Sequence, residues 1–267
     1  RAKKLNQSAI AITDHGSMYG VMEFYKTAKS EGVKPIIGCE VYVAKRSRFD
    51  KVREYDSEIY HLVLLCKNNI GYQNLIKMVS KSFIEGFYNK PRIDEDLLRQ
   101  HSEGLMALSA CLAGAIPRAL NRNDYEAAKE IALNYQDIFG KNNFYIELQN
   151  HGIAEEIRIL PMLSRLSKET GIPMVATNDC HYITQEDSRM HEVLLCIQTN
   201  HTIEDDDKMD FGTDQVYIKS EKEMRALFDN FEGAIENTAK IAEMCNVEFE
   251  FGKTKLPHFD VPNNQDH

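Results

Sequence analysis

Four short clusters in the chain combine residue types that bind metal ions: Asp14-His15, Glu40, Cys111 and Asp179-Cys180-His181. Imidazole, carboxylate and thiolate are the ligands of zinc and manganese, and a carboxylate beside an imidazole holds a divalent ion when both face one space. In extended chain, residues two apart share a face, so Asp179 and His181 point one way and Cys180 the other. Each cluster also has an ordinary reading. An Asp after a strand caps the next helix, a strand-end His sits in water, and Glu40 pairs with Lys34 or Lys45. A Cys ending an apolar run is most often just buried. The case for metal chemistry is repetition, because the same residue types recur where successive apolar runs stop.

Those apolar runs are the strands that must position the clusters. Ser8–Thr13 reads as a strand with Asp14, His15 and Gly16 just past its end, and the helix Val21–Ser30 follows, closed by Gly32. Pro35–Val43 is a second strand with Glu40 inside it, and His61–Cys66 a third. Leu105–Ala110 ends in Cys111, and Phe144–Leu148 and Met174–Ala176 complete the set. Helical spacing of apolar residues predicts Tyr72–Glu85, Asp94–Gln100, Tyr125–Phe139 and Ile153–Thr170. Strands alternating with helices predict parallel strands joined by right-handed crossovers, with function at their carboxyl ends. His61 fits poorly, because it precedes its apolar run.

After Arg189 the rhythm changes. Helices are expected at Met190–Gln198, at Glu221–Phe228 behind a Ser220–Glu223 capping box, and at Glu232–Cys245. Glu204–Asp207 reads as an acidic turn and Val216–Ile218 as a short extended piece. The division expected is a barrel over 1–189, a helical extension over 190–252 and a linker over 253–267. The opening Arg1–Asn6 reads as the last turn of a helix, which predicts residues before Arg1.

A chain of 267 residues, 43% hydrophobic and 27% charged, is large enough to bury a full core. It has no apolar run of membrane-spanning length and no signal peptide, so no membrane partner is expected. Its six cysteines form neither CxxC pairs nor a disulfide framework, which suits a reducing cytoplasm. A net charge of −9 argues against tight nucleic-acid binding through the overall field, while leaving room for local basic patches. The basic loop carrying Lys45, Arg46, Arg48, Lys51 and Arg53 reads as solvated before it reads as a DNA contact. His101, His191, His201 and His258 read as surface or helix residues, and His151 reads as an ordinary residue before it reads as one that approaches the site mouth. Cys39 and Cys180 are expected to be packed, and Tyr135, Phe139, Phe144 and Tyr145 to lie in the core.

The stretches AITDHGSMYGVMEFY, GVKPIIGCEVYVA, YHLVLLCKNNIGYQNL, LSACLAG, NFYIELQNHG and MVATNDCHY, followed by MHEVLLCIQT and LPHFDVP, cover nearly the whole chain in order. Together they resemble the PHP (polymerase and histidinol phosphatase) domain found at the amino terminus of bacterial DNA polymerase III alpha subunits. The resemblance implies an α/β fold, a distorted seven-stranded (β/α) TIM-like barrel with its first strand absent here and a C-terminal helical extension. Its open end would hold up to three divalent ions. Carried over by position, the metal ligands would be His15, Glu40, His61, Cys111, Asp179 and His181, with His61 entering on the resemblance alone. Asp14, Glu40 and Asp179 would be the catalytic residues, Asp14 by supporting a ligand. The family's three remaining ligand positions would precede Arg1. A mixed His, Asp, Glu and Cys set suits Zn2+ or Mn2+ better than Mg2+.

The function implied is DNA-directed DNA polymerase in replication for the whole protein, with the nucleotidyl-transfer carboxylates in a palm domain beyond His267. The barrel itself would be a metal-dependent phosphoesterase, a 3′–5′ proofreading exonuclease acting on a primer 3′ end. Two alternatives stand beside it: a silent, metal-stabilised scaffold or docking module for a separate proofreading exonuclease, and a free-standing histidinol-phosphatase-like enzyme. DNA, the rest of the polymerase chain and a separate exonuclease subunit would be the partners.

Overall fold

Apolar runs bounded by turn residues build seven strands in the computed structural model, which describes residues 1–254. They are β1 (Ala9–Ile12), β2 (Lys34–Ala44), β3 (Ile59–Cys66), β4 (Arg92–Ile93), β5 (Leu105–Leu108), β6 (Phe144–Leu148) and β7 (Met174–Ala176). One curled sheet runs in the order β1-β2-β3-β5-β6-β7. β4 joins β2 on the same edge as β1, farther along the strand. The curl is a half-barrel, in line with the distorted barrel expected.

The parallel arrangement holds for every strand but β3, which runs antiparallel to both β2 and β5. The connection from β2 to β3 contains only the four-residue helix Arg53–Asp56. Residues 45–58 are enough in number for a parallel crossover, which needs a dozen or more, but they hold no helix long enough to carry the chain back. This connection instead folds over on itself. Arg46 pairs with Asp56, and the buried Arg48 pairs with Asp94 and Glu85. Arg92, almost wholly buried, donates to the carbonyls of Gly86, Asp56, Arg48 and Asp50. Arg46 and Arg48 are therefore occupied in holding the loop.

Side chains alternate between two cores, as the period of a strand requires. Ile37, Cys39, Val41 and Val43 of β2, with Leu62 and Leu64 of β3, face the helices. Val63 and Leu65, with Met106, Leu108, Tyr145 and Val175, line the inner side of the curl. Ile241 and Cys245, at the end of the helix Glu236–Met244, join that inner cluster. Lys34, which opens β2, donates to Ala242 O at 2.5 Å and Asn246 Oδ1 at 2.9 Å, and Asn246 N donates to Lys67 O at 2.8 Å. This helix therefore closes the end of the curl opposite the carboxyl ends of β1 and β2.

Most helices lie within a few residues of their expected bounds. Asn69–Ile84 starts early because Asn68 caps it, accepting from Gly71 N, and Glu236–Met244 starts late. The Ser220–Glu223 capping box is present ahead of Glu221–Phe228. Helix Ala115–Asn121 was not anticipated; it has only seven residues, with Pro117 in its first turn. Among the described residues no helix is long and apolar enough to cross a membrane. Of the linker expected over 253–267, the part from 255 onward, with His258, lies outside the described residues.

Candidate metal centre

Backbone pairing brings the first three candidates together. His15 extends β1 and bridges to Glu40, with Gly16 N donating to Glu40 O at 2.8 Å. Gly16 sits at φ 61°, and a Cβ there would stand 2.8 Å from the Tyr42 ring, so only glycine turns the chain this tightly beneath His15. His61 pairs in register with Tyr42, two residues from Glu40 and on the same face of the sheet. The reversal of β3 explains why His61 precedes its apolar run. Its amino end lies where the other strands end.

The donor atoms of His15, Glu40 and His61 all lie within 4.8 Å of one another. Glu40 Oε1 is the shared centre, 3.3 Å from His15 Nδ1 and in ion-pair contact with His61 Nδ1. That oxygen is shielded from solvent yet receives no well-directed hydrogen bond from either ring. A buried carboxylate oxygen flanked by two imidazoles, and left without a proper donor, fits a cation seat. Burial alone would raise the Glu40 pKa, but the adjacent His15 and His61 outweigh it and draw it down to about 2. Glu40 in turn raises the pKa of His15, against the opposing effect of burial.

The remaining candidates surround this group. Cys111 Sγ lies 3.6 Å from His61 Nδ1. Burial, reinforced by the charges of Glu40 and Asp179, pushes the Cys111 thiol pKa well up. His181 Nε2 lies 3.4 Å from Asp179 Oδ1, and its ring centre is 6.0 Å from that of His15. Asp179 sits at φ 40°, so residues 179–181 form a turn where extended chain was expected. The two side chains converge all the same, and Cys180 Sγ turns away to Tyr217 O at 3.3 Å. Cys180 is exposed as a residue, in contrast to the packed position expected, whereas Cys39 is buried. The Asp14 carboxylate stands apart from the group, beside Gly20, and the Asp14 backbone carbonyl accepts from Glu40 N at 3.1 Å.

Two buried networks under the centre escaped the sequence reading. Glu147, on the inner face of β6, accepts from Ala110 N at 2.8 Å, Thr177 Oγ1 at 2.5 Å and Gln149 Nε2 at 3.2 Å. It thereby ties the turn before Cys111 to the turn before Asp179. Ala110 lies at φ 62°, a left-handed conformation that costs an alanine about 1–2 kcal/mol. The bond to Glu147 helps hold it there. Burial, with the charges of Glu40 and Asp179, raises the Glu147 pKa to about 7 against the hydrogen bonds it accepts. His151 is also buried, beneath the Asp179 turn and not in the mouth. Its ring lies 2.8 Å from Glu156 Oε1 and 3.0 Å from Asn178 O. The one sequence signal for Glu147 was an acid placed on the inner face of an otherwise apolar strand. His191, read as a surface or helix residue, lies against His181 with ring centres 5.4 Å apart, and Phe211 packs on both.

Comparison with known proteins places the chain in a family. The PHP domain family model matches residues 1–151. The DNA polymerase III subunit alpha of Treponema pallidum (strain Nichols) is 45% identical over 263 residues, covering 98% of this chain and 22% of that protein. That of Borreliella burgdorferi is 45% identical over 264 residues, covering 98% and 23%. That of Thermus aquaticus is 44% identical over 265 residues, covering 96% and 22%. The chain thus spans between a fifth and a quarter of the length of these curated relatives.

Proposed function

The chain belongs to the PHP domain family, and from that premise we propose that it is the PHP region of a replicative DNA polymerase III alpha subunit, with a mouth that hydrolyses phosphodiesters. The substrate assigned is a DNA 3′ end, cut in a proofreading 3′–5′ exonuclease reaction. Template-directed DNA synthesis is the activity proposed for the whole protein. The observation carrying the hydrolytic reading is the convergence of His15 and His61 on one carboxylate oxygen of Glu40.

His15, Glu40 and His61 would hold a first divalent ion, and Cys111, Asp179 and His181 supply donors for others. Zinc or manganese matches this donor set. When bound, such ions polarise a phosphoryl oxygen and lower the pKa of water. The protein's own residues set the conditions. Glu40 stays ionised through the neutral range. His15 holds its proton more tightly than an ordinary histidine and must release it to act as a ligand. Glu147 and the His151–Glu156 pair fix the turns that carry Cys111 and Asp179. Removing Asp179 as Asp179→Ala is expected to abolish release of 3′-terminal nucleotides from DNA by the metal-loaded chain. Unchanged hydrolysis in that variant would refute the reading.

A second reading, a metal-stabilised docking module without catalysis, draws on one surface. Met190, Val193, Leu194 and Ile197 form an exposed apolar stripe on the helix Ser188–Thr199. Metal that raises thermal stability with no nucleotide release would favour this reading.

A further inference from the structure

One sector of the rim carries charge opposite in sign to the molecule as a whole. Lys45 directly follows β2, and Glu58 directly precedes the reversed β3 at the same end of the sheet. Arg118 and Arg122 lie on and just after the helix Ala115–Asn121, which follows the Cys111 turn. Lys45 Nζ, Arg118 Nη1 and Arg122 Nη1 all converge on the Glu58 carboxylate, at 3.1, 3.3 and 3.2 Å. Arg158, in the helix Ala154–Thr170, donates to Asn121 O at 3.1 Å and Asn121 Oδ1 at 2.7 Å. Among the described residues Glu58 is the one carboxylate within ion-pair distance of any of these four cations. Three positive charges are therefore left uncompensated, in a chain of net charge −9.

These groups are available to a ligand. The Lys45 and Arg122 side chains are about half exposed, at 50% and 56%, and Arg158 is exposed. Arg118 stands over the Tyr60 ring, 5.5 Å from its centre. Tyr60 adjoins His61, and Glu58 is three residues from it, or about 10 Å of extended chain. The cluster therefore borders the metal centre. An arginine engaged by one carboxylate oxygen keeps further N–H donors, and its planar fork matches a phosphate. Tyr55, 54% exposed on the connection between Lys45 and Glu58, already has Arg46 over its ring at 5.5 Å and presents its remaining exposed surface for base stacking. Basic side chains interleaved with exposed aromatics are the composition of sequence-tolerant single-strand binding surfaces.

We propose that Lys45, Arg118, Arg122 and Arg158 form a binding track for the phosphodiester backbone of single-stranded DNA, leading its 3′ end to the centre at His61. The inference rests on the phosphoesterase reading and adds the surface that holds the strand. The test is fluorescence anisotropy of a labelled single-stranded oligonucleotide with the full 267-residue chain, across a salt series and with chelator present to prevent hydrolysis. Each phosphate neutralised in a single strand contributes about −0.7 to the slope of log K against log salt. Arg118→Gln combined with Arg122→Gln is expected to make that slope shallower by about 1.4, and to weaken binding about 25-fold at 0.1 M salt relative to the 1 M reference. Circular dichroism verifies the fold. If that pair unfolds the chain, Lys45→Gln with Arg158→Gln, on two other elements, must give the same change. An unchanged slope in a folded variant overturns the track, as does a wild-type chain that ignores DNA or binds anionic phospholipid vesicles in its place. A chain that binds with the expected slope but releases no nucleotide when metal-loaded overturns the hydrolytic reading and leaves the track standing.

Discussion

Glu147 joins stability to pH through a single buried carboxyl. Its pKa is raised from 4.5 to about 7, first by burial and then by the Glu40 and Asp179 charges. Between those values the folded chain holds a proton that the unfolded chain releases. The resulting stabilisation is complete below about pH 4.5 and is lost as pH rises through about 7, an effect of up to about 3 kcal/mol. Urea unfolding of the chelated chain across this window is expected to show the loss, and Glu147→Gln to flatten it. The amide can still accept from Ala110 and donate to Thr177. A slope unchanged in Glu147→Gln would assign the titration to another group. The His151–Glu156 pair makes a second prediction at this scale. Both residues are about 96% buried, and Glu156→Ala leaves the imidazole without its partner. The expected cost is about 3–5 kcal/mol, far above the ±0.5 kcal/mol of a surface change. Equilibrium unfolding measures it, and a cost below about 1 kcal/mol would show that the pair is not what pins the Asn178 carbonyl.

Elements position these residues, and packing overrides local preference where the two conflict. Gly71 lies in the first turn of the helix Asn69–Ile84, where alanine would gain up to about 1 kcal/mol on helix propensity. A Cβ there would stand 1.9 Å from Gly104 O, and that backbone carbonyl cannot move aside cheaply. Gly71→Ala is therefore expected to destabilise the chain by about 2 kcal/mol or more, and a raised melting temperature would contradict the packing described. The helix Tyr125–Phe139 and the strand Phe144–Leu148 were legible to the residue, because apolar periodicity is a local signal. The direction of β3 was not legible. Its own apolar run is the same read either way, and direction is set by the connection before it, which folds back on itself through the Arg46–Asp56 and Arg48–Asp94 pairs and has no crossover helix. His61 could therefore be placed only by resemblance, until the pairing of Tyr42 with His61 supplied the reason. Ala115–Asn121 was missed because it has no side-chain cap and carries Pro117, unlike the equally short helix behind the Asp94 cap, and Arg118 and Arg122 escaped attention with it. Glu147 and His151 act through contacts 27 to 37 residues away in sequence, which no local pattern encodes.

Across the whole molecule, charge and shape divide the labour. An acidic chain of net charge −9 concentrates uncompensated positive charge on one sector of a rim, beside the candidate metal-ligating side chains. The opposite end of the half-barrel is closed by the helix Glu236–Met244, so the His15–Glu40–His61 group opens toward the rim. The central claim is that His15, Glu40 and His61 form a divalent-metal seat, and it can be tested without any assay of hydrolysis. Isothermal titration of Zn2+ or Mn2+ into the chelator-stripped chain, followed by the same titration of Glu40→Gln, is the most direct measurement. The account predicts saturable binding with proton release in the wild type, weakened by more than about 100-fold in the variant. Equal affinity in both, or no saturable binding by a chain with intact secondary structure, would contradict it.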